Sequence, residues 1–491
     1  SSTANIMIGD NAQFVNNVAA VTAGGKGGAI YADASGHSLP TITFTIGDNA
    51  QFVNNTAAGS TDGQGGAIYT KAFAFSSTIA LMIGDNAQFV SNTAAVTGGK
   101  REGGAFWSLA VGAAFSDLSI GKKASFEDNI ADAGSIGFWR AVDSNNFTIS
   151  IGEGPRIKSQ GESGCRIALT KSRGSLHIGK YAAIDIPYSV LSVSLFQQSS
   201  FTLAFSGALV LHCEKCLTTE SFDSSSMQLS IVNSTFTGIK NYALSVLSAG
   251  ASEQDSNSHI NIISSSFDGT SDASAILGTA SNAGKISITA VDCNFTSFSS
   301  QSDGGAIQVI AVADSYLSVD VINCRFNDTA ALDGTNGGGI ASTCFSSSCS
   351  LNISDTSFQN ASAGLGGAVA MLDDGGSICT MSITKSEFKD CLATSGGGAI
   401  YSKRVKALNV TSTSFVSNKA VAGDTKTSGG AIFTTGPSSL NIISCNFNGN
   451  SASSGGAIAM SDSVTSVLKA TTVSSNQAFT GNGGAIALTD E

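Results

Sequence analysis

Few residues in this chain have the types and spacing that chemistry requires. Asp373-Asp374 is the one Asp pair, and two carboxylates at a set distance could cleave a glycosidic bond if His, Lys or Arg stood near to hold an acidic sugar. Its setting, Met371-Leu372-Asp373-Asp374-Gly375-Gly376, reads more plainly as a solvated Asp-Gly turn between strands. The four His, at 37, 177, 212 and 259, lie in no arrangement resembling a nucleophile elbow. His212-Cys213-Glu214-Lys215-Cys216 has zinc-like spacing, but no second Cys-x-x-Cys or His pair supplies a fourth ligand, leaving a local disulfide or free thiols. The early Asp-Asn pairs and Asp328, Asp333 and Asp424 could hold calcium weakly, yet no Asp-rich calcium repeat is present. The expectation is no catalytic residue, no metal and no cofactor.

The elements that would position such residues follow from composition and period. Only 12% of the 491 residues are charged while 42% are hydrophobic, and no apolar run reaches membrane-spanning length. The 56 Gly and 4 Pro, with no helical periodicity, predict strands joined by sharp turns. The net charge of −11 and dispersed Lys and Arg exclude a phosphate-tracking stripe, so nucleic acid is not expected as a partner. The octapeptide Ile8–Val15 returns unchanged at Ile46–Val53 and Ile83–Val90, and Gly-Gly-Ala followed by Ile, Val or Phe occurs nine times.

Anchoring on the residue that closes each alternating strand gives Phe14, Phe52, Phe89, Phe126, Ile157, Ile184, Leu211, Phe236, Phe267, Phe295, Phe326, Phe358, Phe388, Phe415, Phe447 and Val473. Segments such as Leu440–Phe447 alternate apolar with polar, so each coil is half-buried and needs its neighbours to form an interior. The reading is an all-β chain, a parallel β-helix (β-solenoid) of about sixteen coils, and at roughly 4.8 Å per coil it would make a rod about 75 Å long. Three stretches differ: regular coils over 1–135, irregular coils over 136–235 and regular coils over 236–491, read as one continuous solenoid. Asn stands three residues after the anchor at Asn17, Asn55, Asn92, Asn129, Asn418, Asn450 and Asn476, where the strand must turn and where amides can bond from coil to coil. The Gly pair before Ala-Ile reads as a second corner, where Gly takes positive φ.

Register also bears on the ten Cys. Cys293 and Cys324 each precede consecutive anchors by two residues, and Cys349 and Cys379 by nine, so each pair should stack near 4.8 Å, within disulfide range. A local Cys344–Cys349 bridge competes, and stacked buried thiols are an equal alternative. Sequons stand at Asn54, Asn146, Asn233, Asn294, Asn327, Asn352, Asn360 and Asn409; their number permits glycosylation without requiring it.

Gly429-Gly430-Ala431-Ile432 and Phe415-Val416-Ser417-Asn418 carry a resemblance: the alternation of Gly-Gly-Ala-Ile/Leu/Val with Phe-x-x-Asn resembles the passenger repeats of chlamydial polymorphic outer-membrane proteins over about residues 1–135 and 290–491. Surface proteins of protists and algae are similar. The resemblance implies a right-handed parallel β-helix displayed on the surface as an adhesin and secreted by an autotransporter route. No C-terminal barrel pattern follows the repeats, so the expectation is a passenger fragment or a different secretion route; neither end reads as capped, so the chain is expected to be cut from a longer array or to stack head to tail into a fibre. Arg156-Ile157-Lys158 is similar to a polygalacturonase tripeptide, without the elements that accompany it there. The functional expectation is a non-enzymatic extracellular or cell-surface rod, an adhesin or the subunit of a surface fibre. Its partners would be itself, head to tail, or cell-surface receptors and glycans. A carbohydrate-active β-helix enzyme with its site between Phe126 and Phe236 is the alternative, and clustered carboxylates with Lys or Arg in a groove would favour it.

Overall fold

The computed structural model describes residues 3–21, 24–35, 40–73, 76–96, 99–112, 114–144, 146–159, 163–250, 255–332, 334–421, 427–436, 438–462 and 464–489; His37, Asp333 and Asp424 lie outside them. Among these residues there is no helix, and none therefore that could cross a membrane. Three strand positions recur in every coil, each filled sixteen times, and all pair in parallel. The molecule is a parallel β-helix. Its contacts define two compact units, Ser1–Thr237 and Gly238–Glu491.

In the first unit, Thr78–Ile83 pairs with Thr41–Ile46 on one side and Phe115–Ile120 on the other. A short strand, Gln88–Val90, sits between Gln51–Val53 and Ser125–Glu127. The third position is exemplified by Ile68–Phe73, between Ile30–Ala34 and Phe106–Val111. Alternation decides what is inside: Ile79, Leu81 and Ile83 are buried while Met82 is exposed. The anchors stack at the strand spacing, with Phe14, Phe52, Phe89 and Phe126 at centroid distances of 4.6, 4.8 and 5.1 Å. The second unit repeats this from Phe267 to Phe447, at 4.6 to 5.2 Å.

One anchor is corrected. Val210, not Leu211, pairs with Ile184 and Phe236 and is fully buried. The anchors are then 26 residues apart on both sides. A one-residue slip exchanges the faces of a strand, and the alternation in Leu209–Leu211 carries too few residues to fix it from sequence.

The corners are polar ladders. Asn55 Nδ2 donates to Asn92 Oδ1 at 2.9 Å and to the Phe14 carbonyl at 2.8 Å, while its backbone N–H donates to the same Asn92 oxygen. Asn17 and Asn92 act in the same way on Asn55 and Asn129. In the second unit Asn418, Asn450 and Asn476 repeat the arrangement, and Cys391 donates its N–H to Asn418. Within each ladder an inner amide such as Asn55 or Asn92 thereby uses both N–H donors and its oxygen.

The Gly pair divides its labour. Only its first member takes positive φ, as in Gly65 at 66° and Gly103 at 68°. A Cβ on the second would meet the neighbouring coil's backbone, 2.1 Å from the Gly104 carbonyl oxygen in the case of Gly66. That Gly sets how closely coils stack. Gly134-Ser135 and Gly337-Gly338 take the same corner, although they depart from the Gly-Gly-Ala spelling.

Candidate functional site

Most residues singled out for chemistry are structural. Asp373 is buried, with Oδ1 accepting the N–H groups of Gly375 and Ser377 at 2.8 and 3.2 Å. Asp374 accepts those of Gly376 and Ser346, which hold its carboxyl below the usual range. The pair is a turn. Arg156–Lys158 is a short strand between Ser125–Glu127 and Ala183–Asp185. Cys213 is bonded to Cys216, so the zinc-like spacing has no thiolates to offer.

The stacked cysteine pairs are not disulfides in the structure. Cys293 and Cys324 are buried thiols within a corner column of hydroxyls. Cys293 Sγ donates to the Val291 carbonyl and Cys324 Sγ to that of Ile322, at 3.2 and 3.3 Å. Each Sγ or Oγ in turn accepts the preceding coil's N–H: Cys293 to Cys324, Cys324 to Thr356, Thr356 to Ser386 and Ser386 to Thr413. In-register parallel neighbours project side by side, and each thiol donates to a carbonyl of its own strand end. This Ser/Thr/Cys column is legible as the residue two before each anchor from Phe267 to Phe447, a spacing read above for Cys alone; before Phe14 to Phe126 the same place holds Ala. Cys349 bonds Cys344, across a corner, with Cα atoms 6.5 Å apart. Its register partner Cys379 remains a thiol, pushed up to about 12 by burial and the Asp373 charge.

Seven of the eight sequon asparagines are exposed: Asn54, Asn146, Asn233, Asn294, Asn352, Asn360 and Asn409. Asn327 is half-buried.

A concavity of chemical interest lies wholly within the first unit, and spacing alone did not disclose it. The three coils between anchors Phe14 and Phe126 are 37 or 38 residues long and carry extra strands, Gly24–Lys26, Asp62–Gln64 and Lys100–Glu102, which pair with one another. Beside them runs an aromatic column, Tyr31, Tyr69, Trp107 and Phe138, with successive centroids 5.1, 4.5 and 6.5 Å apart. Lys26 Nζ lies 5.3 Å from the Tyr69 ring, and Trp107 Nε1 donates to Glu102 at 3.0 Å. The extra strands roof the column: Tyr69, Trp107 and Phe138 are all buried, and burial holds the Tyr69 hydroxyl above its ordinary range.

Beyond Phe138 the repeat shortens and the roof strand ends. In the register of the third strand position Phe138 is followed by Arg166, and Arg140 by Ala168. The step from roofed to bare sheet opens a cavity of about 450 Å³ lined by Lys100, Arg101, Glu102, Asp132, Arg140 and Arg166, with Phe138 and Phe196 among its apolar walls. Arg101 pairs with Asp132, and Arg166 lies 5.9 Å from the Phe138 ring centroid. Such a site can bind and orient an anion; both carboxylates are engaged, Glu102 by Trp107 and by Gln64 Nε2 at 3.2 Å.

No curated protein and no solved structure matches the chain significantly. Residues 11–33 and 49–71, each running from the exposed Asn corner through Phe-x-x-Asn to Gly-Gly-Ala-Ile, match the Chlamydia polymorphic membrane protein repeat, and the chain carries that repeat as coils of its β-helix.

Proposed function

We propose that this chain is a non-enzymatic, extracellular scaffold displayed at a cell surface, whose coils present binding surfaces for adhesion. The observation that carries this reading is the match of two coils to a membrane-protein repeat in a fold built from stacked coils. Oxidised pairs Cys213–Cys216 and Cys344–Cys349 fit an oxidising compartment, and the exposed sequons fit a glycoprotein. Head-to-tail assembly into a fibre is part of the proposal: each coil already binds the next by in-register parallel strands, the mode by which a second copy would add on. Protease shaving and antibody labelling of intact cells test the location; a signal only after lysis overturns it. Electron microscopy of the native particle separates monomeric rods from filaments.

A second reading, a polysaccharide lyase or hydrolase, is favoured by one observation, the presence of Glu102 and Asp132 among Lys and Arg in the groove. Release of unsaturated or reducing sugar ends, abolished by Glu102→Gln, would establish it in place of the first.

A further inference from the structure

We propose that the groove at Phe138 binds an acidic sugar, a short stretch of glycan bearing carboxylate or sulfate groups; the ligand class is new and rests on the surface-binding reading. Four cations, Lys100, Arg101, Arg140 and Arg166, line it against two carboxylates, Glu102 and Asp132. Asp132 is taken by Arg101 and Glu102 by Trp107 and Gln64. Among the described residues Lys100, Arg140 and Arg166 enter no ion pair. A chain of net charge −11 thus gathers uncompensated positive charge at one concavity, and such focusing draws anions.

The geometry narrows the anion further. Arg140 and Arg166 stand on adjacent paired strands, two residues out of step, which separates their Cα atoms by roughly 8 Å along a diagonal. Two guanidinium forks at a fixed spacing suit a chain that carries repeated planar or tetrahedral anions, because each fork can bond two oxygens of one group. Phe138 lies beneath Arg166, and the partly exposed Phe196, stacked on Phe222 at 5.2 Å, offers a flat apolar face for the C–H side of a sugar ring. The volume of about 450 Å³ falls in the range of small-ligand sites. A peptide strand finds no edge to join: Gly137–Val142 and Ser163–Thr170 are paired on both sides.

The test is calorimetric titration of the full chain at physiological salt with a size-defined sulfated tetrasaccharide, a uronate tetrasaccharide, a neutral tetrasaccharide and a poly-glutamate peptide. At least one acidic sugar is expected to bind, the neutral sugar and the peptide at least tenfold more weakly. Arg140→Gln with Arg166→Gln should lower affinity at least tenfold, Phe196→Ala several-fold, and Arg404→Gln in the other unit not at all; thermal melting checks that each variant is folded. Equal binding of neutral sugar or peptide, unchanged affinity in the double variant, or no binding of either acidic sugar overturns the inference. Cell adhesion is measured in parallel. Adhesion that survives the double variant overturns the groove and leaves the surface reading standing, whereas sugar binding without any surface location does the reverse.

Discussion

The first unit solves the same packing problem twice. Coils anchored at Phe14, Phe52, Phe89 and Phe126 turn on an Asn ladder and a Gly corner and stack aromatic anchors, and the first three carry a roof strand. Coils anchored at Ile157, Ile184 and Val210 have aliphatic anchors, and the roof is absent. The corners after Ile184 and Val210 are apolar, with Ile186 buried and a Cys213–Cys216 bridge, while Ser159 still bonds Ser135 after Ile157; the third strands lengthen to eight residues in Ser189–Phe196 and Lys215–Phe222. A polar corner must satisfy every group, and it does so only if each coil supplies the same amide. An apolar corner needs volume alone, and tolerates variation. The regular coils therefore repeat their sequence almost letter for letter, the irregular ones do not, and the boundary between the two leaves the groove.

The sharpest attack on this contrast is Gly66→Ala. Its Cβ would meet backbone of the next coil on two sides, and a loss of at least about 4 kcal/mol in denaturant unfolding is expected. Gly154→Ala, where φ is 69° but the nearest atom is 3.7 Å away, should lose only about 1–2 kcal/mol; similar losses would mean that close stacking is not what the second Gly secures. Next, Asn92→Ala should lose about 3 kcal/mol because it orphans the Phe52 carbonyl and the Asn55 N–H in a dry interior, against about 1 kcal/mol for Ile186→Val at the apolar corner. Equal costs would erase the distinction between the corners.

Register in the short coils is tested by Val210→Ala, expected to lose about 2 kcal/mol, and Leu211→Ala, expected to lose no more than about 0.5 kcal/mol. Alkali separates the regions more gently. Burial pushes the Cys165 thiol, in the short coils, from 9.0 up to about 12. A raised folded value means that its contribution is complete below pH 9 and is lost as pH climbs toward 12. Tyr69, in the roofed coils, is raised from 10.0, so its loss starts one unit later. A stability curve from pH 8 to 10 should fall first through the buried thiols, Cys165 here and Cys379 and Cys391 in the second unit, and Cys165→Ala should make that limb shallower by its share only. Smallest is Asn49→Ala at the outer corner, where φ is 58°; about 1 kcal/mol should go, and Asn49→Gly should cost only a few tenths.

Much of the fold was legible because a solenoid is written in local spacing. The recurring octapeptide, Phe at fixed intervals and Gly-Gly-Ala-Ile place strands and corners with no knowledge of the rest of the chain. Legibility failed where repetition failed: at Val210, where a three-residue strand could not reveal its own face, and at Gly134-Ser135, where the corner persists without its spelling. The cysteines mark a different limit, since spacing gives which thiols stack but not where each side chain points.

The candidate groove was almost wholly illegible. Lys100, Arg140 and Arg166 are separated by 40 and 26 residues; where Arg140 pairs with Ala168 a spacing of 26 is out of step with the coil, so the three look like dispersed surface charge. Sequence by itself determined the coil, its period and its buried faces, because those depend on alternation and turn chemistry within a few tens of residues. Only the tertiary structure decided which long coil ends beside which short one. Register between unequal coils, not any motif, draws three unpaired cations and two aromatic rings to one place.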